Sequence, residues 1–272
     1  MIRTPTSLGA IATILVEIFV VTAFASAQEG KNDHLPLPAV AVNSDASGES
    51  FQDDADKVLP LVVTGDFNHD GVADIAKIIL PNEDSAEPVH LMVLLGQSSG
   101  TYKEIAFKPM LGRTPRTMVV GDFNNDGIPD LIVGDEDGGL TLLLGDGDGN
   151  FSSGSEVAHL ESVRSIAVAD FNKDGILDIA ISDWRASSVT VLLGTGNGSF
   201  EHKWSVPLRM RGTTPHIAAA DFNADGIPDL AVIYDEDEEA TFDVILGNGN
   251  GTFTIAPEWG FVRDANSHCN TL

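Results

Sequence analysis

Four nine-residue stretches place aspartates at a spacing that can hold a hard cation: DFNHDGVAD from Asp66, DFNNDGIPD from Asp122, DFNKDGILD from Asp170 and DFNADGIPD from Asp221. Oxygen side chains fall at positions 1, 3, 5 and 9 of each stretch, and position 6 is always glycine. Positions 1, 3 and 5 alternate to one side of a tight loop, and glycine permits the sharp turn that a side chain would obstruct. That turn aims the position-7 carbonyl inward, and Asp at position 9 closes the shell. Three carboxylates, one amide and one carbonyl form an all-oxygen set suited to Ca2+; Mg2+ fits less well, since it keeps its waters in a strict octahedron. Phe at position 2 has the opposite parity, so it points away from the cation and is expected to plug the core between repeats. Asp, Asn and Gly are also turn formers in their own right. One copy would support a bare turn equally well; four copies with every oxygen position and the glycine kept favour the cage.

The first six positions also match the start of an EF-hand loop, which requires a bidentate Glu at position 12 and helices on both sides. Position 12 is Lys77, Val133, Ile181 and Val232, and the flanking residues have strand chemistry, so an EF-hand is excluded.

The elements that must position these loops recur with them. The stretches start at 66, 122, 170 and 221, spacings of 56, 48 and 51 residues. A glycine cluster keeps step: LLGQSSGTY (94–102), LLGDGDGNF (143–151), LLGTGNGSF (192–200) and ILGNGNGTF (245–253). Short apolar runs such as TMVVG and DLIVG flank the aspartates, and others such as VTVLLG precede the glycines. Four short strands per unit of about 50 residues, separated by Gly, Asn and Asp turns, is the sequence form of a propeller blade. The expected fold is therefore all-β: a β-propeller-type repeat of four blades, each of four antiparallel strands, forming a closed ring or a partial propeller. Blades are expected at about 57–110, 111–160, 161–211 and 212–262, with a polar linker at 28–56 and a C-terminal tail at 263–272.

The 272 residues include 15 Lys and Arg against 41 Asp and Glu, a formal net charge of −26. Such a polyanion excludes nucleic acid and anionic lipid as partners through general electrostatics. Twelve of the carboxylates sit in the four stretches, three in each, so much of the charge is organised to meet cations. At the N-terminus Arg3 precedes an apolar segment (8–24) and then Ala25-Ser26-Ala27. This is the pattern of a signal peptide over 1–27, with no membrane span after cleavage and a secreted, periplasmic or extracellular-surface location. Glu17 inside the apolar segment is a departure from that pattern. The single cysteine, Cys269, allows no intramolecular disulfide, which leaves metal or repeat packing to rigidify an exported chain.

Other motifs carry less. Gly96-Gln97-Ser98-Ser99-Gly100 fits the G-x-S-x-G pattern, but a strand follows where the nucleophile elbow needs a helix, so it is a hairpin turn. The glycine clusters lack the Lys-Ser/Thr of a phosphate loop, and the seven histidines show no zinc spacing. The acidic run at 235–239 has the character of a solvated loop. Trp184, Trp204 and Trp259 would stack on sugars if exposed, and would otherwise pack within blades. No acid, base or nucleophile stands apart from the aspartate loops, so the chain is not expected to be an enzyme.

The repeated motif resembles the FG-GAP repeat, also called the VCBS-type repeat, of the integrin α-subunit N-terminal β-propeller and its bacterial relatives. The resemblance covers about 57–262 and implies a Ca2+ in each loop between two strands of a blade, four in all. Its implied ligands are Asp66, Asn68, Asp70, Asp74 and the Val72 carbonyl in the first repeat. In the second they are Asp122, Asn124, Asp126, Asp130 and the Ile128 carbonyl. The third uses Asp170, Asn172, Asp174, Asp178 and the Ile176 carbonyl, and the fourth Asp221, Asn223, Asp225, Asp229 and the Ile227 carbonyl. Family propellers commonly have seven blades and only four units are visible here. The ring is thus incomplete, closed by four blades alone, or completed by another chain in a homo-oligomer. The resemblance implies a calcium-binding scaffold for protein or cell-surface adhesion. Two alternatives stand beside it: a carbohydrate-binding, lectin-like propeller with a glycan partner, and an accessory domain of a polysaccharide-degrading enzyme.

Overall fold

A computed structural model describes residues 61–80, 88–109, 114–152, 155–208, 214–235 and 241–260. The expected signal peptide, linker and tail, Cys269, and all but the first residue of the acidic run lie outside the described residues.

Sixteen strands follow one another in chain order. The first four are β1 (Val62–Gly65), β2 (Asp74–Ile79), β3 (His90–Gly96) and β4 (Tyr102–Pro109). The next four are β5 (Pro115–Gly121), β6 (Asp130–Asp135), β7 (Gly139–Leu143) and β8 (Ser155–His159). Then come β9 (Ser165–Ala169), β10 (Asp178–Asp183), β11 (Ser188–Gly194) and β12 (Phe200–Pro207). The last are β13 (Thr214–Ala220), β14 (Asp229–Asp235), β15 (Thr241–Gly247) and β16 (Phe253–Gly260). Each consecutive set of four forms one antiparallel meander with strands in sequence order. No helix occurs among the described residues, and none is long and apolar enough to cross a membrane. The fold is all-β, with four four-stranded sheets arranged as in a propeller.

The first strands lie side by side: β1 adjoins β5, β5 adjoins β9, and β9 adjoins β13. Among the described residues β13 and β1 share no comparable packing, so the four sheets make an open arc. In all four sheets the ladder between third and fourth strands shifts register, at Leu91/Val93, Leu140/Thr141, Val191/Leu192 and Asp243/Ile245. An irregularity of that kind bends the outermost strand and increases the local twist.

Burial along the second strand tells inner sheets from end sheets. In β2 (DIAKII) buried and half-buried residues alternate, the mark of a sheet covered on one face. In β6 (DLIVGD) and β10 (DIAISD) every residue is buried, because a sheet lies against each face. Three clusters fill the spaces between sheets. Val63, Ala76, Ile78 and Val93 meet Leu131 and Val133. Ile132 and Leu142 meet Ile166, Ile179 and Ile181. Ala180, Val189 and Val191 meet Leu230, Val232 and Tyr234. Each fully buried aliphatic side chain contributes about 1.5–3 kcal/mol. The cohesion of the arc therefore comes from β-branched and leucine side chains on second and third strands.

Candidate metal centres

Each aspartate stretch links the first strand of its sheet to the second, and the four loops share one set of hydrogen bonds. In the second loop the Asp126 N–H donates to Asp122 Oδ1 and Asn124 Oδ1, both at 3.1 Å. The Gly127 N–H donates to Asp122 Oδ2 at 2.8 Å, and the Ile128 N–H to Asp126 Oδ1 at 2.8 Å. Asn124 Nδ2 donates to Asp126 Oδ2 at 2.7 Å. The same bonds recur around Asp66, Asp170 and Asp221, with the position-6 glycine donating at 2.9, 2.8 and 2.7 Å. Gly127 takes φ 84°, in the left-handed region where an L side chain is strained. Position 4 is left-handed too: His69, Asn125, Lys173 and Ala224 have φ of 56–61°. The sequence pattern leaves position 4 unrestricted and gives no sign of this.

Positions 1, 3 and 5 are therefore brought together over one turn in every loop. Position 9 is placed otherwise. Asp74, Asp130, Asp178 and Asp229 are fully buried, and each uses both carboxylate oxygens on backbone amides. Oδ2 accepts the N–H of the position-2 phenylalanine at 2.8, 3.0, 2.8 and 2.9 Å. Oδ1 accepts the N–H of Gly96, Gly145, Gly194 or Gly247 at 2.7, 2.9, 2.9 and 2.7 Å. That glycine ends the third strand, or at Gly145 lies two residues beyond its end, so position 9 staples the loop to the sheet.

Burial pushes these four carboxyls above the usual aspartate range, to about 6 for Asp130 and Asp178. The two backbone amides oppose the shift, and the loop aspartates at positions 1 and 5 add to it.

A turn reading of the glycine clusters gives no sign of this stapling role. A Cβ at Gly96, Gly145, Gly194 or Gly247 would run into the carbonyl of Ala73, Pro129, Leu177 or Pro228, the position-8 residue of the preceding loop. The signal in the sequence was the unvarying L-G or I-L-G register before each cluster.

The donor chemistry suits a hard cation. The carboxylates at positions 1 and 5 and the amide oxygen at position 3 share one exposed turn. Each carboxylate oxygen keeps a lone pair after accepting an N–H. Among the described residues no three His, Cys, Asp or Glu side chains gather into one metal-holding cluster. Only two loop carboxylates face the turn, with Asn as the third side chain.

Other residues singled out in the sequence have structural surroundings. Trp204 packs on Phe253, centroids 5.1 Å apart, within the core between the last two sheets. Trp184 lies half-buried at the β10–β11 turn with the Arg185 guanidinium 5.4 Å from its ring centroid. Gln97–Gly100 forms a turn closed by the Gly100 N–H donating to the Gln97 carbonyl at 2.8 Å. Asp146 folds over its own cluster, accepting the Asp148 and Asn150 amides at 2.9 and 3.0 Å, and these bonds hold its carboxyl below the usual range against a desolvation effect that would raise it.

Four meandering sheets side by side, each opened by an acidic loop of one geometry, define a propeller-type repeat scaffold. The FG-GAP-like repeat model matches residues 122–181 and 170–232. The chain thus carries FG-GAP-like repeats, and the loop at 66–74, outside the matched span, has the same bonds. No curated protein matches the chain. Among solved structures it is similar to a functionally unknown protein from Desulfotomaculum acetoxidans, at 13% identity and TM-score 0.45, covering 72% of this chain and 65% of that one. A protein from Lactobacillus plantarum is similar at 15% identity and TM-score 0.44, covering 72% and 67%. A rhamnogalacturonan lyase from Bacillus licheniformis is similar at 13% and TM-score 0.38, covering 71% of this chain but 51% of the lyase.

Proposed function

We propose that the chain is an exported, calcium-stabilised propeller-type scaffold whose surface takes a protein or cell-surface ligand. The observation that carries the calcium reading is the fourfold identity of the acidic loops, hydrogen bond for hydrogen bond. A turn needing no ion has little reason to keep aspartate at positions 1 and 5 in all four copies, since carboxylates so close repel one another. Calcium at each loop would relieve that repulsion and tie the first two strands of each sheet together. Extracellular calcium modules bind with dissociation constants of about 10⁻⁴–10⁻³ M, so the stability of this scaffold would follow the calcium outside the cell. The apolar segment at 8–24 followed by Ala25-Ser26-Ala27 is the sequence feature that supports export. The adhesive role rests on the repeat type and on the lack of a catalytic constellation among the residues singled out.

A melt with calcium and with chelator tests the reading. A calcium-dependent rise in melting temperature that Asp126→Ala reduces is expected, and an unchanged melt would count against it. For the carbohydrate alternative, the candidate among the tryptophans whose side chains are described is Trp184, which lies at a turn with a half-buried ring, whereas Trp204 packs on Phe253. Loss of glycan-array binding in Trp184→Ala would favour it over protein adhesion.

A further inference from the structure

One contact recurs at each of the three junctions between sheets. Phe67 meets Phe151 with ring centroids 5.4 Å apart, Phe123 meets Phe200 at 5.9 Å, and Phe171 meets Phe253 at 5.4 Å. A backbone bond accompanies each pair. Gly149 donates to the Phe67 carbonyl at 3.0 Å, Gly198 to Phe123 at 3.0 Å, and Gly251 to Phe171 at 3.1 Å. The contact has two halves: the phenylalanine of one aspartate loop, and the last glycine and aromatic residue of the next sheet's glycine cluster.

The two ends of the arc each display one half of this contact. Phe222 of the fourth loop is 36% exposed, whereas Phe67, Phe123 and Phe171 are each 1% exposed. Tyr102, the aromatic residue of the first glycine cluster, is 54% exposed. A Cβ on Gly100 would meet nothing within 4 Å, while those on Gly149, Gly198 and Gly251 would touch Leu95, Leu142 and Leu193 of the preceding sheet. The strand faces agree. Leu131, Ile179 and Leu230 are fully buried against the preceding sheet, and Ile75 at the same place is half-buried. Ala76, Ile132 and Ala180 are fully buried against the following sheet, and Ala231 is half-buried.

We propose that a second copy of this chain closes the arc head to tail, with Phe222 of each copy receiving Tyr102 and Gly100 of the other. Phe222 of one copy meets Tyr102 of the other and the reverse, so a two-fold axis relates the two contacts and closes the ring. Two copies give eight sheets, within the usual range of about 4–8 blades, and three copies would exceed it. The occupant is thus an extension of an interface that the chain already makes three times with itself. Lys77 departs from the pattern, standing where Val133, Ile181 and Val232 stand. Its long stem can lie on the apolar face while the ammonium reaches the rim. The proposal rests on repeat geometry and is independent of calcium and of any ligand.

Light scattering on the purified full chain tests it. Twice the single-chain mass is expected, falling to the single-chain mass in Phe222→Asp and in Tyr102→Asp. Both side chains are exposed in the single chain, so far-UV circular dichroism should not change; Tyr102→Ser gives a milder version of the same test. Mixing Phe222→Asp with Tyr102→Asp should restore a dimer, because one of the two contacts is then intact. A wild-type monomer would overturn the proposal, including one in which another part of the same chain protects Phe222. So would a dimer that survives both substitutions, a mixture that stays monomeric, or an open-ended series of masses.

Discussion

The Asp130 carboxylate accepts the Gly145 amide at 2.9 Å across fifteen residues, while its other oxygen holds the Phe123 amide at 3.0 Å. One buried side chain thereby fixes the end of the acidic loop, the entry of the core phenylalanine and the end of the third strand. Replacing it leaves two backbone N–H groups without an acceptor, each costing about 1–3 kcal/mol. Asp130→Ala is expected to lower stability by about 2–6 kcal/mol in urea unfolding even without calcium. Asp126→Ala, in the exposed turn, should cost far less under the same conditions.

Fifteen residues on from Asp130, Gly145 itself admits no side chain. Gly145→Ala would drive a Cβ into the Pro129 carbonyl, and relief requires the loop to move. A loss of about 1–3 kcal/mol is expected, the usual cost of overpacking. Gly127→Ala makes an informative contrast: its Cβ meets nothing within 4 Å, so only the strain of φ 84° remains, about 1–2 kcal/mol. Chemical denaturation of the two variants side by side checks the difference in mechanism. Calcium should restore little of the Gly145→Ala loss.

The calcium-free protein should have a particular pH dependence. Asp130 and Asp178 have carboxyls raised from 3.8 to about 6, so between these values the folded chain binds more protons than the unfolded chain. Stability from these groups is present in full below pH about 4 and is lost as pH rises through about 6. Urea midpoints in chelator across that window should fall with rising pH, and less steeply in Asp130→Asn, which cannot ionise. Calcium should oppose the fall, since a bound cation favours the charged carboxylates.

Much of this architecture was legible in the chain. The alternating apolar runs and the two repeated turn signals marked strands, and Gly127 announced the sharp turn. Phe123 could be assigned to the core from its parity alone. Three things were not legible. The left-handed backbone at His69, Asn125, Lys173 and Ala224 is imposed by the bonds on either side, and residues so unlike one another carry no common signal. The partnership of Asp130 with Gly145 joins residues far apart in sequence, and each already had a sufficient local reading, as ligand and as turn former. The difference between inner and end sheets arises from assembly: Leu131 and Ile75 are similar letters in equivalent strands, buried to different degrees by what lies beyond them.

Counting bound calcium decides whether the four acidic loops are calcium sites. Equilibrium dialysis of the full chain at millimolar calcium, followed by metal analysis, should give four ions per chain. Asp126→Ala should give three, with the remaining loops unaffected. A chain that binds no calcium under these conditions, or whose count is unchanged when Asp126, Asp174 and Asp225 are replaced, would rule out calcium in these loops.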